Sequence, residues 1–398
     1  MASAPQAVHS SRKLAALDGV RGLAIIAVFL SHSGWRMARG SILEEPVRWI
    51  TGQGWMGVDL FFVLSGFLIT GILLDSRGAE NYFRSFYARR ALRIFPLYYA
   101  FLLIGFALFP LTVADDWQPL RADRWLYFCY LTNWLGLWKG FWRANIMGHL
   151  WSLAVEEQFY FTWPLLVRVL KPRTLLRAVL TTEAAVIAGR TSWVLLRHPG
   201  QTASLATLTR MDGLLLGAGI AVLVRHYRLP ERLIAWLPAA LVAGIGIYLA
   251  LVLRYPHWAE VVQLVGFPLL AFSFALLVLF AAATENVRGI MQRTLTGRAL
   301  GRVGKYAYGI YIFHVPILYF GNTILDTYFA ERVNGSGWLS CLSVVLLWLI
   351  SYYTARLSYD RFERFFLGYK DRFAARFALK EAAAPACGQP RVIMRTSE

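Results

Sequence analysis

Stretches of mostly apolar residues recur along the chain, each near the roughly 17–25 residues that cross a hydrocarbon core. They lie near 17–34, 55–74, 95–113, 148–168, 178–196, 208–224, 233–253, 260–283, 306–325 and 338–357, separated by charged or Gly/Pro-containing segments. This pattern predicts an all-α polytopic membrane protein with about ten transmembrane helices. A further candidate, Trp125 to Trp138, is short and carries Asn133 among several aromatics, so it reads as a re-entrant or interfacial helix. The predicted organisation is a cytoplasmic N-terminus over 1–16, one membrane domain over 17–366, and a cytoplasmic tail over 367–398. The tail is expected to be disordered after about Lys380, where the sequence is Ala-rich with Pro385 and Pro390. No repeats and no second soluble domain are expected.

Composition strengthens this reading. Only 16% of residues are charged, against about a quarter in soluble domains. The 15 Trp, 19 Tyr and 26 Phe supply rings suited to the bilayer interface. A formal charge of +18 raises the question of nucleic acid, but in a polytopic chain the position of the charges decides. With a cytoplasmic N-terminus and 125–138 not crossing, the inside segments carry 28 Lys and Arg and the outside segments 10. That excess is what the positive-inside rule requires, and letting 125–138 cross would reverse every later loop. We therefore expect a multi-pass protein of a bacterial-type inner (plasma) membrane, both termini cytoplasmic, with no nucleic-acid partner. The first span is expected to be retained, not cleaved as a signal peptide. Cys129, Cys341 and Cys387 fit neither a disulfide framework nor a metal site and are assigned to packing. No metal is expected.

Ionisable residues within spans are costly and usually face a protein interior or a watery cavity. In the first span Asp18 and Arg21 are three apart and can pair on one helix face. His32 follows eleven residues after Arg21, about 16 Å further along a helix, and imidazole is well suited to accept a hydroxyl proton near neutral pH. Snorkelling explains Arg21 alone, and an interfacial hydrogen-bonded histidine explains His32 alone. Asp59 opens the second span at the expected depth of His32 and could orient its imidazole, unless it simply answers the helix dipole. Arg90 and Arg93 share a face in the basic aromatic segment 83–96. That face suits an anionic leaflet, or the phosphates of a nucleotide-like donor. In the fourth span His149 and Glu156 can face one cavity, beside Ser152, Glu157 and Gln158, although Glu156 could instead pair with Arg190 or Arg210. Gly213, Gly217 and Gly219 read as close helix packing. Tyr306, Tyr308, Tyr311 and His314 fit a polar lumen or interfacial anchoring.

Together these segments resemble the integral-membrane acyltransferase type 3 family, O-acetylases of polysaccharides and other glycosides. Leu17-Asp18-Gly19-x-Arg21-Gly22 with Arg21-x10-His32 is similar to the family's first-span signature. Gly57-Val58-Asp59 with Phe61-Phe62-x-Leu64-Ser65-Gly66-Phe67 is similar to the second. Arg90-x-x-Arg93-Ile94-x-Pro96-x-Tyr98 and His149-x-Trp151-Ser152-Leu153-x-x-Glu156-x-Gln158-Phe159-Tyr160 match the third and fourth. The resemblance covers about residues 14–366. It implies His32 as the catalytic residue, Arg21 as its essential partner, and Arg90 and Arg93 as contacts of an acyl-CoA donor. Asp59 and Glu156 would orient or polarise the site.

The expected activity is transfer of an acyl group, acetyl first, to a hydroxyl of a carbohydrate-containing acceptor such as a surface polysaccharide or lipopolysaccharide. No cofactor would be bound permanently, and acetyl-CoA would be a substrate. Where members show Glu-x-Pro after the last span this chain has Glu363-Arg364-Phe365, which puts the local turn in question. The chain is expected to be the form without an extracytoplasmic esterase-like domain. Rival readings are acylation of a secondary-metabolite glycoside, a secondary transporter of a glycoconjugate, and a non-enzymatic scaffold. The inverted repeats that would favour a transporter are not seen.

Overall fold

The computed structural model describes residues 15–37, 39–108, 122–139, 146–197, 206–256, 259–283 and 289–377. The expected N-terminal segment through residue 14 and the tail beyond residue 377 lie outside the described residues. Among those described there is no strand. Ten long helices stand on the ten apolar stretches: α1 (Ala15–Ser33), α2 (Gly57–Asp75), α3 (Tyr82–Leu108), α4 (Trp151–Val169), α5 (Pro172–Arg197), α6 (Asp212–His226), α7 (Glu231–Arg254), α8 (Phe267–Ala283), α9 (Arg298–Tyr328) and α10 (Gly337–Ser358).

Eight of the ten are long and apolar enough to cross a membrane by length and composition. The two that are not are α4, which carries Glu156, Glu157 and Arg168, and α6, which has 15 residues. α6 is buried against α2, α5 and α8. α4 lies against α2, where Glu156 meets Ser65, while its second half from Phe161 onward presents exposed residues. The chain is thus an all-α, multi-pass membrane protein, with α2 near its centre and α1 clasped between α2 and α9.

Lipid tails are as apolar as the side chains, so packing holds such helices together through close backbone approach. Two glycines show this. A Cβ on Gly304 of α9 would overlap the Asp18 carbonyl of α1, and one on Gly217 of α6 would overlap the Val63 carbonyl of α2. These approaches set the spacing of α1, α2, α6 and α9. Gly217 thus plays the packing role expected of it, whereas Gly219 meets only ordinary contacts.

Three local features depart from or refine the sequence expectation. The basic segment 83–96 is not a separate surface helix. It forms the first turns of α3, which continues through Pro96, with Tyr82, Ser85 and Phe86 buried. Tyr82 fastens it by donating to the Pro164 carbonyl at 3.0 Å.

Residues 125–138 form no continuous helix. Arg124–Phe128 and Thr132–Lys139 are separated by Tyr130 at φ 54°. A bulky residue in the left-handed region costs about 1–2 kcal/mol. Tyr130 is held there by stacking on Tyr98 at 4.2 Å and by Gln158 Nε2 donating to its carbonyl at 2.8 Å.

Finally, α10 runs on through a widened turn at Tyr359–Glu363 into Arg364–Leu367. Without the proline of the family pattern, nothing at 365 ends the helix.

Candidate active site

The starts of α1, α3 and α9, together with the segment following α10, meet at one end of the bundle around a cavity of about 500 Å³. Five of its lining side chains are cationic (Arg21, Arg90, Arg93, Lys305 and Lys370), against two carboxylates, Asp18 and Glu156. Arg21 is partly neutralised, donating from Nη1 to Asp18 Oδ1 at 2.6 Å. Glu156 reaches in from α4 and accepts from Ser65 at 2.8 Å and Tyr160 at 3.1 Å. The Arg90 guanidinium lies 4.2 Å from the Tyr160 ring centre, and Lys305 Nζ 4.7 Å from that of Tyr359. Aromatic faces thus share the task of holding cations in place, leaving their charge directed at the cavity. Lys370, beyond the last span, is pushed below the usual lysine range by burial and by the neighbouring Arg89, Arg93 and Arg90. An excess of positive charge in a partly enclosed space is suited to polyanionic ligands.

At its inner end the cavity stops at Ser152 and Tyr311. Tyr311 donates its hydroxyl to the His149 carbonyl at 2.5 Å, so Ser152, 2.5 Å from the same phenolic oxygen, is the donor there. Behind this layer the rings of His149 and His314 lie 5.2 Å apart, and His314 lies 5.0 Å from His32. His314 is fully buried, its Nδ1 on the carbonyls of Tyr311 and Ile310 at 2.8 and 3.1 Å. His32 is exposed near the far end of α1, with Nδ1 2.8 Å from the Val28 carbonyl. A carbonyl only accepts, so that contact places the proton on Nδ1 and leaves the lone pair on Nε2. No group of three His, Cys, Asp or Glu side chains among the described residues could hold a metal ion.

Arg21, Arg90, Arg93 and Glu156 are therefore brought together, while His32 stands apart from them, behind Tyr311 and then His314. His149 does not share the cavity with Glu156. It precedes α4 in the tight turn Gly148–Leu150 and sits behind Tyr311.

Asp59 corrects the expected pairing with His32. Its Oδ1 lies 2.8 Å from Arg210 Nη2 with both side chains buried, beside a second buried pair, Arg190–Asp212, also at 2.8 Å. Two arginines from α5 and the turn before α6 thus take up two aspartates, so neither pairs with Glu156. Tyr311 and His314 were visible in sequence only as polar residues of a later span. Their spacing of three, which puts both on one face of α9, was the available signal.

A family model described as an acyltransferase domain matches residues 14–356. The chain is 29% identical over 373 residues to the putative peptidoglycan O-acetyltransferase YrhL of Bacillus subtilis, covering 89% of this chain and 55% of that one. It is 28% identical over 386 residues to the peptidoglycan O-acetyltransferase OatA of Listeria monocytogenes, covering 92% and 59%. It is 26% identical over 332 residues to the O-acetyltransferase OatA of Staphylococcus aureus, covering 79% and 52%. The chain thus spans little more than half the length of these curated relatives. No solved structure matches.

Proposed function

This chain belongs to the integral-membrane acyltransferase type 3 family, and from that premise we propose that it transfers an acyl group, acetyl first, from acyl-CoA to a carbohydrate hydroxyl. The observation carrying this reading is the cavity, where five cationic side chains converge on a space separated from an exposed imidazole by Tyr311 and His314. Coenzyme A is a polyanion with a long uncharged arm. Its phosphates fit Arg90 and Arg93, since guanidinium groups bind phosphate through two parallel donors. The arm then reaches inward past Glu156, bringing the thioester toward Ser152 and Tyr311.

His32 serves the acceptor side. As a base, its Nε2 takes the proton from the acceptor hydroxyl as that oxygen attacks the thioester carbonyl. The C–S bond breaks, and the thiolate recovers the proton from the imidazolium. As a carrier, Nε2 itself attacks the carbonyl and the C–S bond breaks. The departing thiolate takes up the Nδ1 proton to leave an N-acyl imidazole. The acceptor hydroxyl then displaces the imidazole, returning its proton to the ring. Either course requires the layer of Tyr311 and His314 to part, so that thioester and imidazole meet.

Two of the relatives are named for peptidoglycan O-acetylation, which supports a cell-surface glycan as the acceptor class. The distribution of basic residues supports a bacterial-type plasma membrane with the cavity open to the cytoplasm and both termini on that side. Acyl groups would then cross to the outer face without CoA crossing.

The test is transfer of labelled acetyl from acetyl-CoA to soluble glycan fragments by the protein in proteoliposomes. Arg90→Ala and Arg93→Ala should each raise the KM for acetyl-CoA about 10-fold or more, from loss of charge-assisted hydrogen bonds, with the smaller effect on kcat. An unchanged donor KM in both variants, or transfer independent of CoA, refutes the donor site.

A further inference from the structure

Beyond α10 and the short helix Arg364–Leu367, residues 370–376 stay against the bundle. The tight turn Lys370–Phe373 packs against the start of α3. Residues 374–376 then run beside the turn joining α2 to α3. Asn81 Nδ2 donates to the Ala374 carbonyl at 2.9 Å, and the Arg376 amide donates to Asn81 Oδ1 at 2.8 Å. The Glu80 amide donates to the Arg376 carbonyl at 2.9 Å, and Arg84 lies over the Phe373 ring. This strap carries Lys370 to the cavity from a position beyond the stretch that matches the family model, which ends at residue 356.

Next to the large cavity lies a smaller chamber of about 80 Å³, sharing Arg90, Arg93 and Lys370 with it and adding Arg89, Ser76 and Ser85. Four cations meet there with two hydroxyls, and no carboxylate lines the chamber. Like charges crowded together repel one another unless an anion sits between them. Nothing in the packing of the strap needs a charge at position 370, since its hydrogen bonds run through Asn81 and backbone groups.

We propose that Lys370 and Arg89 form a phosphate-monoester pocket that binds the 3′-phosphate of the acyl-CoA donor, the strap delivering Lys370 to it. The proposal rests on the acyl-CoA reading above and adds to it the part of the donor that is recognised. The geometry separates the two ends of the donor. Glu156, Ser152 and Tyr311 face the inner cavity, where the thioester belongs, and the small chamber adjoins it on the side of Ile72, Ser76 and the strap, where the nucleotide end would remain.

The test compares binding of CoA and 3′-dephospho-CoA to the full chain in nanodiscs of uncharged phosphatidylcholine. Wild type should prefer CoA by about 10-fold or more, the worth of one hydrogen-bonded charge pair. Lys370→Gln should bring CoA down to the level of dephospho-CoA by weakening CoA about 10-fold more than dephospho-CoA, and that selective loss also certifies the variant as folded. Lys370→Arg should keep the preference. Arg89→Gln, a second and independent variant, should lose it. Equal weakening of both ligands by Lys370→Gln, or no weakening of either, overturns the proposal while leaving the donor reading intact. Wild type that binds neither ligand removes the donor reading and the proposal with it. If the preference for CoA disappears only in discs of anionic lipid, the pocket takes a lipid phosphate in competition, and Lys370→Gln should then relieve that competition. Lipid sensitivity that persists in Lys370→Gln counts against the pocket.

Discussion

Replacing His32 with alanine is expected to slow acyl transfer by about a thousand-fold, within the range of a lost general base, while leaving CoA binding unchanged. The reason is separation. The cations proposed to hold the donor line a cavity that His32 does not enter, and Tyr311 and His314 stand between them. A base or acyl carrier removed from the far side of that layer abolishes chemistry without disturbing phosphate contacts. Equilibrium binding of CoA and single-turnover transfer, measured on the same preparation, separate the two quantities. A His32→Ala protein that loses CoA binding in proportion to activity would place His32 in the donor site, contrary to the geometry.

Arg210→Ala is expected to cost about 3–5 kcal/mol of stability, because it leaves the buried Asp59 carboxyl without its partner. Arg210 and Asp59 are each about 2% exposed, and the guanidinium also lies 4.7 Å from the Phe267 ring centre. The second pair, Arg190–Asp212, is equally buried, and Asp212 already engages Arg190. Replacing both partners together, Asp59→Leu with Arg210→Met, should restore most of the loss, since two apolar groups need no compensation. Thermal unfolding in detergent reads this directly. Should Asp59→Asn instead unfold like wild type and be inactive, Asp59 would act on the chemistry and not on the scaffold.

Asp59 also shows where sequence reasoning reached its limit. Its place in the first turn of α2 was legible from the apolar run that follows it. The depth shared with His32 was not found, since the start of α2 packs beside Ala24 and Val28 of α1. Its direction was not legible either, because the partner Arg210 is 151 positions away and lies in a turn before α6 that no period announces. Glu156 was read the other way round with more success. Its polar surroundings within an apolar run marked a cavity-facing residue, and Ser65 and Tyr160 do hold it there.

The apolar stretches were legible because a run of roughly 17–25 apolar residues marks a candidate span. The character of α4 and α6 emerged only when their neighbours were known. Eight helices have the composition of a span on their own, and these two depend on the protein around them. The resemblance put Arg90 and Arg93 together but made Arg21 the partner of His32. That Arg21 instead joins Arg90 and Arg93, with Lys305 and Lys370, emerged only through the packing of α1, α9 and the strap. His314 was hidden for a similar reason. It meets His32 across the α1–α9 crossing, whose closeness depends on Gly304 meeting the Asp18 carbonyl.

The most direct measurement uses proteoliposomes with the protein in one orientation. Labelled acetyl-CoA is supplied to the side bearing the basic cavity, and a glycan acceptor is enclosed on the other. Label should pass to the enclosed acceptor while CoA stays outside, and His32→Ala should abolish the transfer. Transfer that requires donor and acceptor on the same side, or that survives in a folded His32→Ala protein, would contradict a path from the cationic cavity to His32.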